Sequence, residues 1–286
     1  MPGVSEVVMI AEDMRSALPS WRAGATKQAI VDFLERVTAG SGAVPPAERI
    51  ATFDNDGTLT CEKPQTALAA FLAAQSNSAG REPRAEATGH EVLRELGELL
   101  AGTTVAEYER LSRAFLAGAI HPRFRMGYPA LAYAPMRELV ALLHTLEFRV
   151  FVCSDSSRDF NRILAESAYG LQREHVIGSE VRIELRHGVL VRTATPVPLN
   201  DGPGKVVHIW DRTGQQPLFA AGNAVGDIEM LDAARFALLV HHDDPDREYG
   251  YDDLDALAAA DAAGWTVAGM KYDFDAIWQH EMTGDH

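Results

Sequence analysis

The stretch from Arg49 to Thr60, which reads R-I-A-T-F-D-N-D-G-T-L-T, constrains the fold of this chain more than any other part of the sequence. A short apolar run with Ile50 and Phe53 is followed at once by Asp54 and Asp56. A buried parallel strand has this pattern when it delivers polar side chains to the carboxyl edge of a sheet, where open α/β sheets bind their ligands. Two carboxylates at this spacing repel each other unless a cation lies between them, and Mg²⁺ prefers oxygen ligands of this kind. On this stretch alone, a strand that ends in an ordinary turn of Asn, Asp and Gly is the alternative.

Length, charge and cysteine content limit the classes of function. A chain of 286 residues with 47% hydrophobic residues suits one large α/β domain, or a core with a smaller insert. The net charge of −15 and the lack of a concentrated basic patch argue against a partner of nucleic acid. No apolar run approaches the length of a membrane span, and the segment from Met1 to Trp21 lacks the features of a signal peptide. The two cysteines, Cys61 and Cys153, do not have a metal-binding spacing. We therefore expect a cytoplasmic protein that acts on a small molecule and not on a membrane, with an oligomeric state that the sequence does not indicate.

Residues 63–145 are predicted to be helical without intervening strands. Four segments in this region have amphipathic spacing: Ala67 to Gln75, Val92 to Ala101, Val105 to Leu116 and Met136 to Leu146. Thr103 or Thr104 is the predicted N-cap of the third segment, and Glu107 lies three residues beyond Thr104. An all-helical insert at 63–145, between core segments 1–62 and 146–286, accounts for this pattern.

Strands and helices alternate after the insert. The predicted strands are Phe148 to Cys153, Pro217 to Ala221, Phe236 to Val240 and Trp265 to Ala268, together with a hairpin of Val181 to Leu185 and Val189 to Arg192. The predicted helices are Arg158 to Tyr169, Gly202 to Trp210, Asp227 to Ala234 and Leu254 to Ala263. This alternation predicts an α/β fold with a Rossmann-like, doubly wound and mainly parallel sheet.

Polar side chains lie at four strand ends or helix starts along the chain: Asp54 with Asp56, Ser154, Lys205, and Asn223 with Asp227. Phosphoryl transfer needs such a set. A carboxylate can attack phosphorus and form an acyl phosphate, while Mg²⁺, a lysine and aimed donors offset the charge of the transferred group. A second carboxylate can protonate the leaving oxygen and later deprotonate the attacking water.

In their order along the chain, these motifs resemble those of the haloacid dehalogenase-like hydrolases. The DxDxT motif matches Asp54 to Thr58, a Ser after an apolar strand matches Ser154, a Lys near a helix start matches Lys205, and an acidic pair after a strand and a glycine matches Gly222 to Asp227. With its helical insert as a cap domain, the chain resembles the phosphoserine-phosphatase-like branch of the superfamily.

The resemblance implies roles for these residues. Asp54 is the expected nucleophile and Asp56 the expected general acid and base, while Ser154 would bind the phosphoryl oxygens and Lys205 would neutralise them. The presence of Asp56 favours a phosphomonoesterase, because the dehalogenase and phosphonatase branches lack an Asp at this position. Lys63 is the only lysine near the insert, whereas the phosphonatase branch uses a cap lysine as a Schiff base.

The resemblance also implies Mg²⁺ as the cofactor. Asp54, the backbone carbonyl of Asp56, and Asp227 or Asn223 would hold the ion. Many relatives have Asp at the position of Asn223, so Asp227 is favoured as the direct ligand, with Asn223 as the alternative. Further candidates for binding the phosphate or the rest of the substrate lie beside the motifs or where the insert faces the core: Gly57, Thr58, Asp155, Asn223, Glu62 and Arg158.

The expected function is therefore hydrolysis of a small phosphorylated metabolite through an aspartyl-phosphate at Asp54. A phosphotransferase or mutase with the same motifs is one alternative, and a non-catalytic regulatory protein that binds a phosphate ligand is another. The run His241-His242-Asp243-Asp244 is interpreted as a loop beside the site, since neighbouring residues at a strand end point to opposite sides and cannot all share a metal.

Overall fold

The computed structural model describes residues 11–81 and 88–283. Within these ranges the strands are β1 (Ile50–Phe53), β2 (Arg149–Ser157), β3 (Val176–Ser179), β4 (Val181–Arg186), β5 (Val189–Pro196), β6 (Phe219–Gly222), β7 (Phe236–His241) and β8 (Thr266–Gly269). The helices are α1 (Ala11–Ser16), α2 (Ala25–Thr38), α3 (Ala67–Ser78), α4 (Gly89–Leu99), α5 (Val105–Gly118), α6 (Ala134–Thr145), α7 (Arg158–Tyr169), α8 (Pro203–Thr213), α9 (Ile228–Asp232), α10 (Leu254–Ala263), α11 (Met270–Asp273) and α12 (Gln279–Thr283). None of the helices in the described ranges combines the length and hydrophobicity that a membrane span requires.

Six strands form one parallel sheet with the order β3-β2-β1-β6-β7-β8. The central strand β1 pairs in parallel with β2 on one side and with β6 on the other. The chain runs outward from β1 to β2 and β3, and then returns to place β6, β7 and β8 on the opposite side. The strand order therefore reverses between β1 and β6, and ligands of open α/β sheets bind at the carboxyl ends of the strands at such a point. The predicted Rossmann-like, mainly parallel α/β fold is confirmed.

Both faces of the sheet are buried. Successive side chains of each strand point to opposite faces, and helices cover each face. Ile50 and Leu239 belong to a cluster with residues of α8, α9 and α10. Phe53 and Leu238 belong to a larger cluster with residues of α2, α6 and α7. Every residue of β1 and β6 is buried, which explains why these strands are apolar in the sequence except for Thr52.

The described residues between β1 and β2 form the helices α3 to α6, as predicted. Helix α6 packs against β2, whereas α4 and α5 also pack against the β4–β5 hairpin. Backbone hydrogen bonds join the hairpin to the α4–α5 loop: Gly102 N–H donates to the Arg192 carbonyl and Arg192 N–H to the Thr103 carbonyl, each at 2.9 Å. The division into a cap at 63–145 and a core of 1–62 and 146–286 stays a prediction.

Local signals gave several element ends correctly. The Thr104 hydroxyl accepts a hydrogen bond from the Glu107 amide, which confirms the predicted N-cap. Helix α7 ends at Tyr169, as predicted, and the next residue, Gly170, is its C-cap with φ +69°. Strand β3 was not predicted, since it is a four-residue edge strand interrupted by Gly178. Residues 1–10 lie outside the described residues, and helix α1 begins at Ala11.

Candidate active site

A cavity of about 780 Å³ opens at the carboxyl edge of the sheet, where the strand order reverses. Seven of the eleven predicted site residues line it: Asp54, Asp56, Glu62, Asp155, Lys205, Asn223 and Asp227. The other four, Ser154, Gly57, Thr58 and Arg158, are not among its lining residues. Side chains of α3 and α4, including Leu68, Leu72 and Val92, form an apolar wall on the side of the insert.

Lys205 links two carboxylates at the floor of the cavity. Its ammonium nitrogen lies 2.7 Å from Asp54 Oδ1 and 2.5 Å from Asp227 Oδ1, and all three side chains are buried. Burial lowers the pKa of Lys205, but the charges of Asp227 and Asp54 outweigh that effect and raise the pKa well above its usual value. The lysine therefore stays charged between the two carboxylates.

Asp54 follows β1 directly, and its backbone amide donates to the carbonyl of Ala221 on β6 at 2.9 Å. Burial and the Asp227 charge raise the pKa of Asp54 well above its usual range, while Lys205 lowers it. One ammonium group thus compensates two buried carboxylates incompletely. A second cation beside Asp54 would favour the ionised form that a nucleophile needs.

Asp56 is held in a different electrostatic environment from Asp54. Burial, followed by the charges of Asp155 and Glu62, raises the pKa of Asp56 to about 8. The Asn55 amide donates to Asp56 Oδ1 at 3.2 Å, and Tyr169 fixes Asn55 by donating its hydroxyl proton to Oδ1 at 2.9 Å. At neutral pH the Asp56 carboxyl therefore carries a proton that it can give to a leaving group.

Asn223 packs directly on the loop that follows β1. The Thr58 hydroxyl donates to Asn223 Oδ1 at 2.9 Å. Gly57 has φ +82°, and a Cβ there would lie 2.1 Å from Asn223 Nδ2, so only glycine fits this position. Asp227 Oδ2 accepts the backbone amides of Asn223 (2.9 Å) and Ala224 (3.1 Å), while its Oδ1 accepts Lys205. Both Asp227 oxygens are therefore engaged, whereas Asn223 Oδ1 accepts a single hydrogen bond from the described residues.

The donor chemistry of this cluster fits Mg²⁺. The donor atoms that this cluster can offer to a metal are all oxygens. They come from the carboxylates of Asp54, Asp56 and Asp227, the side-chain amide of Asn223 and backbone carbonyls. Over residues 11–81 and 88–283, no three side chains of His, Cys, Asp or Glu form a metal-ligand group. Mg²⁺ sites commonly use one or two carboxylates and keep several waters, so a set with few carboxylate ligands suits this ion.

The end of β2 supplies a second group of cavity residues. Ser154 is fully buried, and its Oγ accepts the backbone amide of Ser156 at 3.1 Å. Asp155 and Ser156 line the cavity. Burial raises the pKa of Asp155, while the Lys205 charge lowers it. The sequence analysis missed Ser156, because the irregularity of the strand after Ser154 breaks the alternation of side chains that a sequence pattern assumes.

The remaining predicted residues lie at the margin of the cavity or outside it. Glu62 accepts a hydrogen bond from the Tyr251 hydroxyl at 2.5 Å. Arg158 does not reach the cavity, and its Nε donates to Asp159 Oδ1 at 3.3 Å. Asp201, which the sequence analysis also missed, lines the cavity and lies 3.4 Å from His90 Nε2 at the start of α4.

His242 contacts the loop that follows β1. Its Nε2 donates to the Gly57 carbonyl at 2.7 Å, and its Nδ1 lies 3.1 Å from Glu248 Oε2. Both side chains of this pair are 1% exposed. The sequence analysis placed His242 in a loop beside the site, and only the fold reveals its contact with Gly57.

Comparisons with known proteins identify a family and similar folds. Residues 51–232 match the family model described as haloacid dehalogenase-like hydrolase. A protein of unknown function from Bordetella pertussis Tohama I is similar in structure, with 21% identity over 77% of this chain and 97% of that chain and a TM-score of 0.55. A conserved functionally unknown protein from Anaerococcus prevotii DSM 20548 has 13% identity over 84% of this chain and 90% of that chain, with a TM-score of 0.60.

A phosphoserine phosphatase, solved as a phospho-aspartyl intermediate analogue, has 15% identity over 82% of this chain and 97% of that chain, with a TM-score of 0.44. No curated protein matches the sequence. The Bordetella pertussis and Anaerococcus prevotii structures share the fold of this chain.

Proposed function

This chain belongs to the haloacid dehalogenase-like hydrolase family, and from that premise we propose that it is a Mg²⁺-dependent phosphatase. It hydrolyses a small phosphate monoester through an aspartyl-phosphate at Asp54. The observation that carries the proposal is the grouping of three buried side chains in one cavity: the carboxyl of Asp54, the ammonium group of Lys205 and the carboxyl of Asp56.

In the first step, a carboxylate oxygen of Asp54 attacks the phosphorus atom of the monoester. A bond forms between this oxygen and phosphorus while the ester P–O bond breaks. Asp56 gives its proton to the departing oxygen, which leaves as an alcohol. The raised pKa of Asp56, about 8, keeps the proton available at neutral pH.

In the second step, Asp56 acts as the base. Its carboxylate takes a proton from water as the water oxygen attacks the phosphorus of the aspartyl-phosphate. The bond between Asp54 and phosphorus breaks, inorganic phosphate leaves, and both Asp side chains return to their starting forms. Lys205 stabilises the negative phosphoryl oxygens in both steps, since its charge is held beside Asp54.

Asp54, the backbone carbonyl of Asp56, and Asn223 or Asp227 would hold Mg²⁺. Of the last two, Asn223 has the more available oxygen, because both carboxylate oxygens of Asp227 already accept hydrogen bonds. When bound, Mg²⁺ supplies positive charge that offsets the charge of the phosphoryl group and of Asp54.

The size and walls of the cavity favour a small substrate. A volume of about 780 Å³ suits a phosphorylated metabolite. We interpret the helices at 63–145 as a cap, because Leu68, Leu72 and Val92 close the side of the cavity opposite the sheet. Exclusion of bulk water by such a wall protects the acyl phosphate until the hydrolytic water is positioned.

The test is release of inorganic phosphate from an aryl phosphate, with and without Mg²⁺, for the wild type and Asp54→Asn. The asparagine still accepts a hydrogen bond from Lys205 but is not a competent nucleophile, so we expect activity to fall by at least about a thousandfold. Asp32→Asn, at an exposed site on α2, is the matched control and should retain full activity. Near-normal release by Asp54→Asn would refute the assignment of the nucleophile.

Product analysis separates the proposal from its alternatives. A phosphatase releases one phosphate for each ester consumed, whereas a phosphotransferase passes the phosphoryl group to an acceptor hydroxyl and leaves little free phosphate. A binding protein would release none and would accumulate no acyl phosphate after acid quenching.

A further inference from the structure

A buried hydroxyl in the cavity has no hydrogen-bond partner. Ser156 is 4% exposed and lines the same cavity as Asp54 and Lys205, yet its Oγ has no partner among the described residues. Leaving a buried hydroxyl unpaired is unfavourable, and native structures pair most such groups. A ligand that enters the cavity could supply the missing acceptor.

The neighbouring Ser154 is arranged differently. It is fully buried, does not line the cavity, and uses its Oγ to accept the Ser156 backbone amide at 3.1 Å. Its own carbonyl accepts the Asn200 side-chain amide at 2.8 Å. Ser154 Oγ therefore braces the turn as an acceptor and keeps its own O–H to donate, while Ser156 is the serine of this turn that lines the cavity.

An irregularity in the sheet accounts for this arrangement. Ser154 pairs with Gly178 and Ser157 pairs with Ser179, so Asp155 and Ser156 have no partner residue on β3. A bulge of this kind redirects side chains, and bulges are common next to active sites. Gly178 makes the close approach feasible, because a Cβ there would lie 3.0 Å from the Ser156 carbonyl oxygen and 2.9 Å from Arg158 Cα.

We propose that Ser156 donates a hydrogen bond to the phosphoryl group of the substrate, as a second hydroxyl beside Ser154. The inference rests on the proposed phosphatase function, and it adds Ser156 to the contact that the sequence motif assigns to Ser154. A neutral donor at this position binds an anionic oxygen without adding charge to the cavity, where Asp54, Asp56 and Asp155 already lie close together.

The first test is binding of inorganic phosphate, measured by calorimetry in the presence of Mg²⁺. Ser156→Ala should weaken phosphate affinity and lower kcat/KM for an aryl phosphate by about 10- to 100-fold, the range for a hydrogen bond to a charged group. If Ser154→Ala caused this loss and Ser156→Ala did not, the assignment would be overturned.

The second test is thermal unfolding of the free protein. Ser156→Ala removes an unpaired hydroxyl, so we expect an unchanged or higher Tm. Ser154→Ala removes the acceptor of the Ser156 amide and should lower the Tm. A clear decrease in Tm for Ser156→Ala would indicate a structural role and would contradict the inference.

The two measurements also separate this inference from the proposed function. If the wild type hydrolyses the ester and Ser156→Ala retains both kcat/KM and phosphate affinity, only the inference fails. If phosphate binds in a Ser156-dependent way but no ester is hydrolysed, the proposed function fails and the inference stands. A wild type that neither binds phosphate nor hydrolyses the ester would contradict both.

Discussion

The ammonium nitrogen of Lys205 lies 2.7 Å from Oδ1 of Asp54, although 151 residues separate the two in the chain. The contact forms because β1 delivers Asp54 to the carboxyl edge of the sheet and α8 begins at the same edge. Asp227 completes the group on the other side of the lysine, at 2.5 Å. The site therefore depends on one buried cation shared between two carboxylates.

Lys205→Met should destabilise the protein. The substitution preserves much of the side-chain volume but leaves Asp54 and Asp227 buried without their counter-ion. We expect the free energy of unfolding in urea, measured without Mg²⁺, to fall by about 3–5 kcal/mol. Lys271→Met, at an exposed position, is the matched control. A loss below about 1 kcal/mol, the value for an exposed ion pair, would show that the contacts of Lys205 with Asp54 and Asp227 contribute little to stability.

Thr58→Val should weaken Mg²⁺ binding. The hydroxyl of Thr58 orients Asn223 Oδ1, and loss of a contact that orients a metal ligand typically costs about 10- to 100-fold in metal affinity. The measurement is the Mg²⁺ concentration that gives half-maximal phosphate release, together with direct calorimetry.

Thr60→Val is the control for this prediction. The Thr60 hydroxyl is also buried and donates to the Leu131 carbonyl at 3.0 Å, but it does not contact Asn223. Both variants should lose about 1 kcal/mol of stability, the usual value for one hydrogen bond. Equal Mg²⁺ affinities in the two variants would argue against Asn223 as a metal ligand.

His242→Leu should destabilise the protein, because His242 holds the loop that follows β1 through the Gly57 carbonyl. It leaves Glu248 buried without its partner and removes the donor to the Gly57 carbonyl, so we expect a loss of about 3–5 kcal/mol in urea unfolding. The double variant His242→Leu/Glu248→Leu should lose less than the sum of the single variants, because no unpaired charge remains. Additive losses would show that the two side chains do not interact.

Stability should increase with pH in the weakly acidic range because of His175 and His144. Burial lowers the pKa of both imidazoles below 6.5, and the charge of His175 lowers that of His144 further. Between the lowered folded-state values and 6.5, the unfolded chain binds more protons than the folded protein. The free energy of unfolding therefore rises with pH through this window. The stability that the two neutral histidines contribute is lost as the pH falls through it.

The check is urea unfolding at a series of pH values from about 5 to 7, around the ordinary histidine pKa. His175→Gln should reduce the dependence on pH, since it removes one of the two imidazoles and the charge beside the other. His187→Asn, at the exposed turn of the β4–β5 hairpin, should leave the dependence unchanged. An unaltered slope in His175→Gln would refute the assignment.

Signals that are local in the chain predicted much of the fold. The helix from Arg158 to Tyr169 was predicted with its observed ends, because its amphipathic spacing stops at Gly170. Strand β2 runs to Ser157 and not to Cys153, since the bulge continues the strand beyond its apolar run. Strand β3 was missed because a four-residue edge strand with an interior glycine has too little periodicity to be recognised.

The sequence by itself determined most of the order of strands and helices, with β3 missed, and the identity of the acidic and basic groups at the sheet edge. Periodicity, capping and turn chemistry act over a few neighbouring residues, so they can be read along the chain. Only the tertiary structure decided that Lys205 lies between Asp54 and Asp227, that His242 contacts Gly57, and that Ser156 rather than Ser154 faces the cavity. These relationships depend on strand register and on side-chain directions between segments far apart in the chain, and packing of the whole molecule fixes both.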